Sequence, residues 1–449
     1  MGENVRRCCA MMRHSKARIA VAAAIIAAAT GLIVWSVSRI RTSDVPRDNT
    51  YHEDYDFQYL FEKPSINTLP DIQTVGRNVY FIHNDYIYFA NLDEQVVRPL
   101  CSRTSCLHDQ ETDPDRMDEC NAYAKEDDPE QSVGIAAYGG AIYRIQHIFD
   151  STGLVYMSRL WKIAQDGSTK DLVRTWKQTS IDNWMIHRGY LYYEEAYSEN
   201  DAEKVTQHYT LKRMALNGAK KDEIILKDDQ DSDETFSGFY NLQAFGNYVY
   251  FVSLYADPGS KVYERCYVYN LKSKRLRVME TDDGDPEYVC GFWKGRLVYS
   301  AGKYSDNLTA DDTEEILNIQ KSLYIADLDG TNPQKLLGPI EGTRAIYFDQ
   351  DHIFRSNVLR VNILKADESP EFVMMDADQN EILSCTLPFD PGMSEPAPGN
   401  ELGMFYVDQK SSAARLYWWD KKTVNKDGKA DFRTLVYHPL GAQQTDSHS

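Results

Sequence analysis

One pattern of apolar and polar positions recurs seven times between residues 87 and 438. Each copy has an aromatic run typical of a strand, then a polar turn, then a second short apolar run. The copies are Ile87–Leu100, Leu160–Val173, Tyr209–Leu226, Tyr267–Met279, Leu323–Leu337, Phe372–Leu383 and Leu416–His438. A single hairpin of this kind cannot bury its apolar face, so successive copies must pack against one another. The pattern predicts an all-β chain built by radial repetition.

A further strand is predicted ahead of each copy. These strands are Asn78–Ile82, Ala141–Ile145, Tyr190–Glu194, Tyr248–Val252, Arg296–Ser300, His352–Ser356 and Met404–Val407, and a glycine precedes six of them. Residues 71–438 are therefore predicted to form a β-propeller of seven blades, with six or eight blades as the alternatives. The pairs Asp166-Gly167, Asn217-Gly218 and Asp329-Gly330 predict type I′ hairpin turns.

The N-terminal residues predict a membrane anchor. Ile19–Val37 holds 19 residues without a charge, which is long enough to cross a bilayer of about 30 Å. Basic residues cluster before this span, which places residues 1–18 in the cytoplasm and the chain after it outside. A cleaved signal peptide is the competing interpretation. Residues 38–70 are polar and predict a stalk, and residues 439–449 predict a disordered tail.

Charge is distributed unevenly along the chain. Residues 1–41 carry a net charge of +6, so the total of −19 leaves −25 on residues 42–449. A surface this acidic repels phosphate backbones, and nucleic acid is therefore not an expected partner. The acidic runs lack the spacing of an EF-hand loop, so we interpret them as solvated connectors.

The turn sequences resemble those of known propellers. Leu323–Leu337 is similar to the repeated phrase of TolB-type propellers, and Tyr417–Asp420 is similar to the YWTD phrase of low-density-lipoprotein-receptor propellers. Both resemblances imply a fold and no activity. The segment from Cys101 to Cys120 resembles an insert in membrane-anchored propellers of uncharacterised function from anaerobic Gram-positive bacteria, which implies an extracytoplasmic location.

One cluster of residues in the chain suggests chemistry. Cys101, Cys106, His108 and Cys120 lie within 20 residues, and three thiolates with one imidazole form a complete tetrahedral ligand set for one structural zinc ion. An exported domain usually oxidises its cysteines, so a disulfide within the cluster is an alternative, and reduced, unligated thiols are another. Cys266, Cys290 and Cys385 are the remaining cysteines after the predicted span.

No enzyme signature is present in the sequence. It has no G-x-S-x-G, H-E-x-x-H or P-loop motif. The sequence therefore favours a membrane-anchored extracytoplasmic binding or scaffolding module for a cell-envelope glycan, peptide or protein. A carbohydrate-active enzyme, such as a polysaccharide lyase or glycosidase with its site at the propeller channel, is one alternative, and an envelope sensor is another.

Overall fold

The computed structural model describes much of the chain after residue 44. The described residues are 45–52, 54–57, 72–124, 134–151, 155–201, 204–218, 221–227, 235–256, 262–280, 285–302, 321–340, 343–349, 359–365, 371–375, 380–386, 396–400, 403–407, 411–420 and 429–437. Among them, no helix is long and apolar enough to cross a membrane. The predicted span at residues 19–37 lies outside the described residues.

The described strands form seven four-stranded antiparallel sheets, each made of four consecutive strands. Sheet 1 contains β1 Ile72–Val75, β2 Asn78–His83, β3 Tyr86–Asn91 and β4 Val96–Pro99. Sheet 2 contains β5 Ala136–Tyr138, β6 Ala141–Phe149, β7 Val155–Ala164 and β8 Lys170–Lys177. Sheet 3 contains β9 Ser180–His187, β10 Tyr190–Asp201, β11 Lys204–Ala215 and β12 Glu223–Lys227.

The remaining four sheets follow the same plan. Sheet 4 contains β13 Thr235–Phe245, β14 Tyr248–Ala256, β15 Val262–Asn270 and β16 Leu276–Val278. Sheet 5 contains β17 Asp285–Trp293, β18 Arg296–Gly302, β19 Lys321–Ala326 and β20 Gln334–Ile340. Sheet 6 contains β21 Thr343–Asp349, β22 Leu359–Lys365, β23 Glu371–Met375 and β24 Glu381–Thr386. Sheet 7 contains β25 Pro396–Asn400, β26 Gly403–Val407, β27 Arg415–Trp419 and β28 Arg433–Val436.

The order of contacts makes this a β-propeller type of fold. In every sheet the four strands pair in chain order, and the first strand of each sheet contacts the first strand of the next, from sheet 1 to sheet 7. The first strands are therefore innermost and the fourth strands are outermost. The repeated sequence pattern forms the third and fourth strands of each sheet, so the prediction of an all-β, propeller-type chain is confirmed.

Sheets 1 and 7 pack directly against each other. Val79 and Ile87 of sheet 1 share one hydrophobic core with Phe405, Leu416 and Trp418 of sheet 7. All four described strands of sheet 1 come from the N-terminal side and all four of sheet 7 from the C-terminal side, so neither sheet lends a strand to the other. This contact is therefore made by buried apolar side chains, whose burial stabilises it without shared ladder hydrogen bonds.

Tyrosines in the second strands repeat one contact between neighbouring sheets. The Tyr80 hydroxyl donates to the Gln165 carbonyl at 3.3 Å, and the Tyr250 hydroxyl donates to the Leu328 carbonyl at 2.6 Å. In each pair the acceptor lies in the turn between the third and fourth strands of the following sheet. Each hydroxyl keeps a hydrogen-bond partner while its buried ring fills the space between sheets.

The glycine turns differ in type from the prediction. Gly167, Gly218 and Gly330 have φ of 74°, 66° and 78°, but the Asp or Asn before each does not have positive φ. Type I′ requires positive φ at both central residues, so that prediction is wrong. Each glycine N–H instead donates to the carbonyl three residues earlier, for example Gly167 to Ala164 at 2.8 Å, as in a type I turn followed by a left-handed glycine.

Part of the segment predicted as a stalk packs on the sheets. The described residues of Asp48–Phe57, which we call the N-terminal strap, lie against the turns between the first and second strands of sheets 3 and 4. The Arg188 guanidinium is buried and donates to both carboxylate oxygens of Asp56, at 2.7 and 3.3 Å. It also donates to the Asp48 and Thr50 carbonyls, at 2.7 and 2.9 Å. A single side chain, that of Arg188, therefore holds both ends of the strap on sheets 3 and 4.

His187 completes the attachment of the strap. Its Nδ1 accepts from the Phe57 N–H at 3.0 Å, and its Nε2 lies 2.9 Å from the Gly246 carbonyl, to which it donates. This pair of contacts requires the neutral imidazole, because protonated Nδ1 would point a hydrogen at the Phe57 N–H. Burial lowers the pKa of His187 to about 4, in keeping with a neutral ring.

Candidate metal centre

The Cys/His cluster lies in an insert between sheets 1 and 2, which we define as Cys101–Ala124. The insert leaves the end of β4 and returns beside β3. There the Ile87 N–H donates to the Ala122 carbonyl at 2.8 Å, and Tyr86 forms an isolated antiparallel bridge with Tyr123. Both ends of the insert are therefore held by sheet 1, and the residues between them form a closed loop.

Local interactions shape the middle of that loop. A short helix, α1 Pro114–Asp118, begins at Asp113, whose carboxylate accepts from the Asp115 N–H at 3.1 Å, and proline occupies the first helical position. Arg103 forms an ion pair with Glu119 at 2.9 Å and also donates to the Glu119 carbonyl. These contacts bring the residue after α1 back towards the start of the insert.

All four predicted ligand residues come together in this loop. One ligand atom from each of Cys101, Cys106, His108 and Cys120 lies within 4.8 Å of every other. Cys101 and Cys120 are buried, whereas Cys106 and His108 are half-buried. His108 has a φ of 54°, a left-handed conformation that is uncommon outside glycine, and its Nδ1 lies 3.7 Å from the Cys120 sulfur. The cluster therefore has the donors and the spacing to hold a metal ion.

The surroundings of the thiols favour a thiolate. A hydrogen bond from Cys120 lowers the pKa of Cys101, and His108 and the backbone N–H groups of Arg103 and Asn121 lower it further. The same contact raises the pKa of Cys120, because the thiol that donates the hydrogen bond holds its proton more tightly. Donors arranged around a sulfur stabilise its anionic form, which is the form that binds metals.

Two cations flank the sulfur atoms. Arg103 lies on the insert, and its pKa is raised chiefly by Glu119 and further by the charges of Cys101 and Cys106. Lys170 belongs to β8 of sheet 2, and its Nζ donates to the Tyr123 carbonyl at 2.8 Å and to the Cys120 carbonyl at 3.4 Å. Burial lowers the pKa of Lys170 to about 8, while the Cys120 and Cys101 charges act in the opposite direction.

The insert is docked on the turn between β7 and β8. The Gly167 carbonyl accepts from the Ser102 N–H at 3.1 Å and from the Asn121 side chain at 2.8 Å. A Cβ at Gly167 would lie 2.7 Å from the Cys101 nitrogen and the Leu100 carbonyl carbon, closer than real Cβ contacts. Glycine is therefore required here both for its positive φ and for the close approach of the two backbones.

The insert also reaches the other side of sheet 1. The Tyr88 hydroxyl donates to the Asp109 carboxylate at 3.3 Å. Tyr437, which follows β28 of sheet 7, packs its ring 5.5 Å from that of Tyr88. Burial raises the pKa of Tyr437 to about 12, and its charge interaction and hydrogen bond with Asp109 act in the same direction. The insert thus contacts sheets 1, 2 and 7.

Sequence reasoning found the ligands but missed their supports. Lys170, Gly167 and Tyr437 lie 43 or more residues beyond the insert, and the sequence marks only Gly167, as a turn former. Of the other cysteines, Cys266 is buried, and its thiol donates to the Met279 sulfur at 3.5 Å. The side chains of Cys290 and Cys385 lie outside the described part of the chain.

Comparisons with known proteins give structural neighbours and no family. No family model matches the chain, and no curated protein matches it. The β-propeller domain of the Trilobed protease from Pyrococcus furiosus is 12% identical with a TM-score of 0.44, and the match covers 86% of this chain and all of that one. An oligogalacturonate lyase in complex with manganese is 12% identical with a TM-score of 0.45, covering 81% of this chain and 95% of that one.

A third neighbour is the uncharacterised protein lmo1340 from Listeria monocytogenes EGD-e. It is 13% identical with a TM-score of 0.39, and the match covers 65% of this chain and 79% of that one. At these identities and scores the neighbours contribute nothing to the assignment of a function.

Proposed function

We propose that this protein is a single-pass, membrane-anchored extracytoplasmic propeller of seven blades. In this proposal it binds or scaffolds a cell-envelope glycan, peptide or protein. The observation that carries the proposal is the ring-like succession of seven meander sheets with their first strands adjacent. Such an arrangement presents a rigid face to a ligand without needing a catalytic group. The uncharged run at residues 19–37 supports the anchor.

A test of the binding role uses a residue on an innermost strand. Asp182 lies in β9, is half-buried, and accepts from the Ser180 hydroxyl at 2.7 Å. The full chain in detergent is applied to immobilised cell-wall glycan fragments, beside Asp182→Asn and the control Asp93→Asn, which lies on an exposed turn. We expect Asp182→Asn alone to lose retention.

The same samples separate the binder from the alternative enzyme. A chain that only binds the glycan does not cleave it. If the unmodified chain releases shortened or unsaturated sugars, and Asp182→Asn does not, then the protein is a lyase or glycosidase and the binding role is wrong. Retention that is identical in all three proteins would place the binding surface elsewhere and remove Asp182 from the proposal.

We also propose that Cys101, Cys106, His108 and Cys120 hold one structural zinc ion. The donor set is soft and complete at four ligands, so a bound ion would fix the insert rather than activate water. The chain is purified without chelators, its metal content is measured by mass spectrometry, and its free thiols are counted on the same sample. We expect one zinc per chain, lost in Cys106→Ser. A metal-free chain with a disulfide among these cysteines would overturn the zinc site.

A further inference from the structure

The ligand set and the half-buried cation Lys170 belong to different sheets. The four ligands lie on the insert attached to sheet 1, whereas Lys170 is the first residue of β8 in sheet 2. The Lys170 ammonium lies over the Trp161 ring, with Nζ 5.2 Å from the ring centre, and it donates to two carbonyls of the insert. This lysine therefore points across the boundary between the sheets towards the metal centre.

The net charge of a zinc-loaded cluster would be balanced by the Lys170 ammonium. Three thiolates and a neutral imidazole around Zn²⁺ leave a net charge of −1, which is costly beside buried residues unless a cation lies near. Arg103 is 41% exposed and already paired with Glu119. Lys170 is half-buried, and its Nζ donates to the carbonyl of the ligand residue Cys120, which places its charge beside the thiolates. Burial and the Arg144 charge lower the pKa of Lys170, whereas the charges of Cys120, Asp118 and Cys101 raise it.

We propose that metal binding and the docking of the insert on sheet 2 are one coupled equilibrium, with Lys170 as the positioning residue that links them. The proposal rests on the structural zinc proposed above. A metal at the cluster draws Lys170 and the Gly167 turn onto the insert, and the docked turn in return strengthens metal binding. By linkage the two effects are equal in size. The boundary between sheets 1 and 2 would then tighten or loosen with the zinc available outside the cell.

The first measurement compares zinc affinity in matched variants of the full chain, by competition with a chromophoric chelator. Lys170→Met keeps an unbranched apolar side chain and removes the charge and both hydrogen bonds of Nζ. Groups that support metal ligands from outside the ligand set typically change affinity 10- to 100-fold, so we expect a loss of about 10-fold or more. Lys177→Met, on an exposed position of the same strand, should bind like the unmodified chain. Lys170→Arg should recover most of the affinity.

The second measurement tests whether bound zinc protects the contact between the insert and sheet 2. Hydrogen exchange is followed in the unmodified chain with zinc and after chelation. We expect the Ser102 amide, bonded to Gly167, and the β7–β8 turn to lose protection. The equivalent β11–β12 turn around Gly218 should not change.

The outcomes are distinguishable. If the unmodified chain binds no zinc, the zinc site itself is wrong. If it binds zinc and Lys170→Met binds equally well, or the β7–β8 turn keeps its protection on chelation, the site stands and the coupling is wrong. If Lys170→Met fails to fold, the zinc affinity of Lys170→Arg and the hydrogen exchange of the unmodified chain are sufficient to test the coupling.

Discussion

The insert and the N-terminal strap both tie separate parts of the chain together, and they do so by different chemistry. The strap uses a buried ion pair between Arg188 and Asp56, both supplied by the chain itself. The insert gathers three sulfurs and an imidazole, a set that would be completed by a metal ion. The strap therefore needs no added ion, whereas the insert, as proposed above, depends on the metal that its surroundings supply.

The largest expected effect comes from breaking the ion pair of the strap. Arg188→Met leaves Asp56 fully buried without its partner, which costs about 3–5 kcal/mol. The midpoint of chemical denaturation of the full chain measures the loss. The control Arg77→Met breaks an exposed pair with Asp93 and should cost less than about 1 kcal/mol. Equal losses in the two variants would mean that the strap contributes nothing beyond a surface contact.

Acid should weaken the strap through His187. The unfolded histidine takes up its proton near pH 6.5 and the folded one only near pH 4, because burial disfavours the charged ring. Between those values the unfolded chain binds more protons, so stability falls as the pH falls, by about 3 kcal/mol in total.

The difference between the unmodified chain and His187→Gln isolates this effect. Glu194 contributes the opposite slope in both proteins, because burial raises its pKa to about 8 and its stabilisation is lost as the pH rises from about 4.5 towards 8. Denaturation midpoints at pH 7 and pH 5 give the comparison. A slope that is the same in both proteins would exclude His187 as its source.

Gly167→Ala tests the docking of the insert. The new Cβ meets backbone at 2.7 Å and the residue must keep a φ of 74°, so we expect a loss of more than about 2 kcal/mol. Gly218→Ala is a matched control, since it has a φ of 66° in the equivalent turn of sheet 3 and no atom within 4 Å of the added Cβ. It should cost about 1 kcal/mol. Thermal unfolding of both variants measures the two losses of stability. Equal losses would contradict the close approach of the Gly167 turn to the backbone of the insert.

The smallest effect is expected where the insert meets sheet 7. Tyr437→Phe removes a hydroxyl that interacts with the Asp109 carboxylate and should cost about 1–2 kcal/mol. Tyr417→Phe, in the same sheet, serves as the control. If chelation of zinc lowers the denaturation midpoint equally in Tyr437→Phe and the unmodified chain, the sheet 7 contact is independent of the metal centre.

Much of the fold could be predicted because its signals are local. The third and fourth strands appear as aromatic runs on either side of a polar turn, as in Leu323–Leu337. The first strands are not predicted by the sequence. Ala136–Tyr138 has three residues, too few to show a period, and the longer Thr235–Phe245 pairs with its neighbour through two register shifts that break its alternation. The turn type was wrong because Asp-Gly also fits a type I turn with a left-handed glycine.

The candidate site was likewise predictable only where its residues lie close together in the sequence. Its four ligands lie close together in the sequence and match the ligand types that zinc prefers, so composition and spacing were sufficient. Lys170 and Tyr437 carry no such signal, because their roles arise only when sheets 2 and 7 fold beside sheet 1. The strap was likewise predicted as a stalk, since Asp56 and Arg188 are 132 residues apart in the chain.

The strap has a mechanical consequence. Tension applied to the chain ahead of Asp48 reaches the Arg188 contacts before it reaches β1. The load is then borne by sheets 3 and 4, where backbone and side-chain contacts must rupture together. The boundary between sheets 1 and 7, which has no shared strand among the described residues, is spared. A force on the N-terminus should therefore break the Arg188 contacts before it separates sheet 1 from sheet 7.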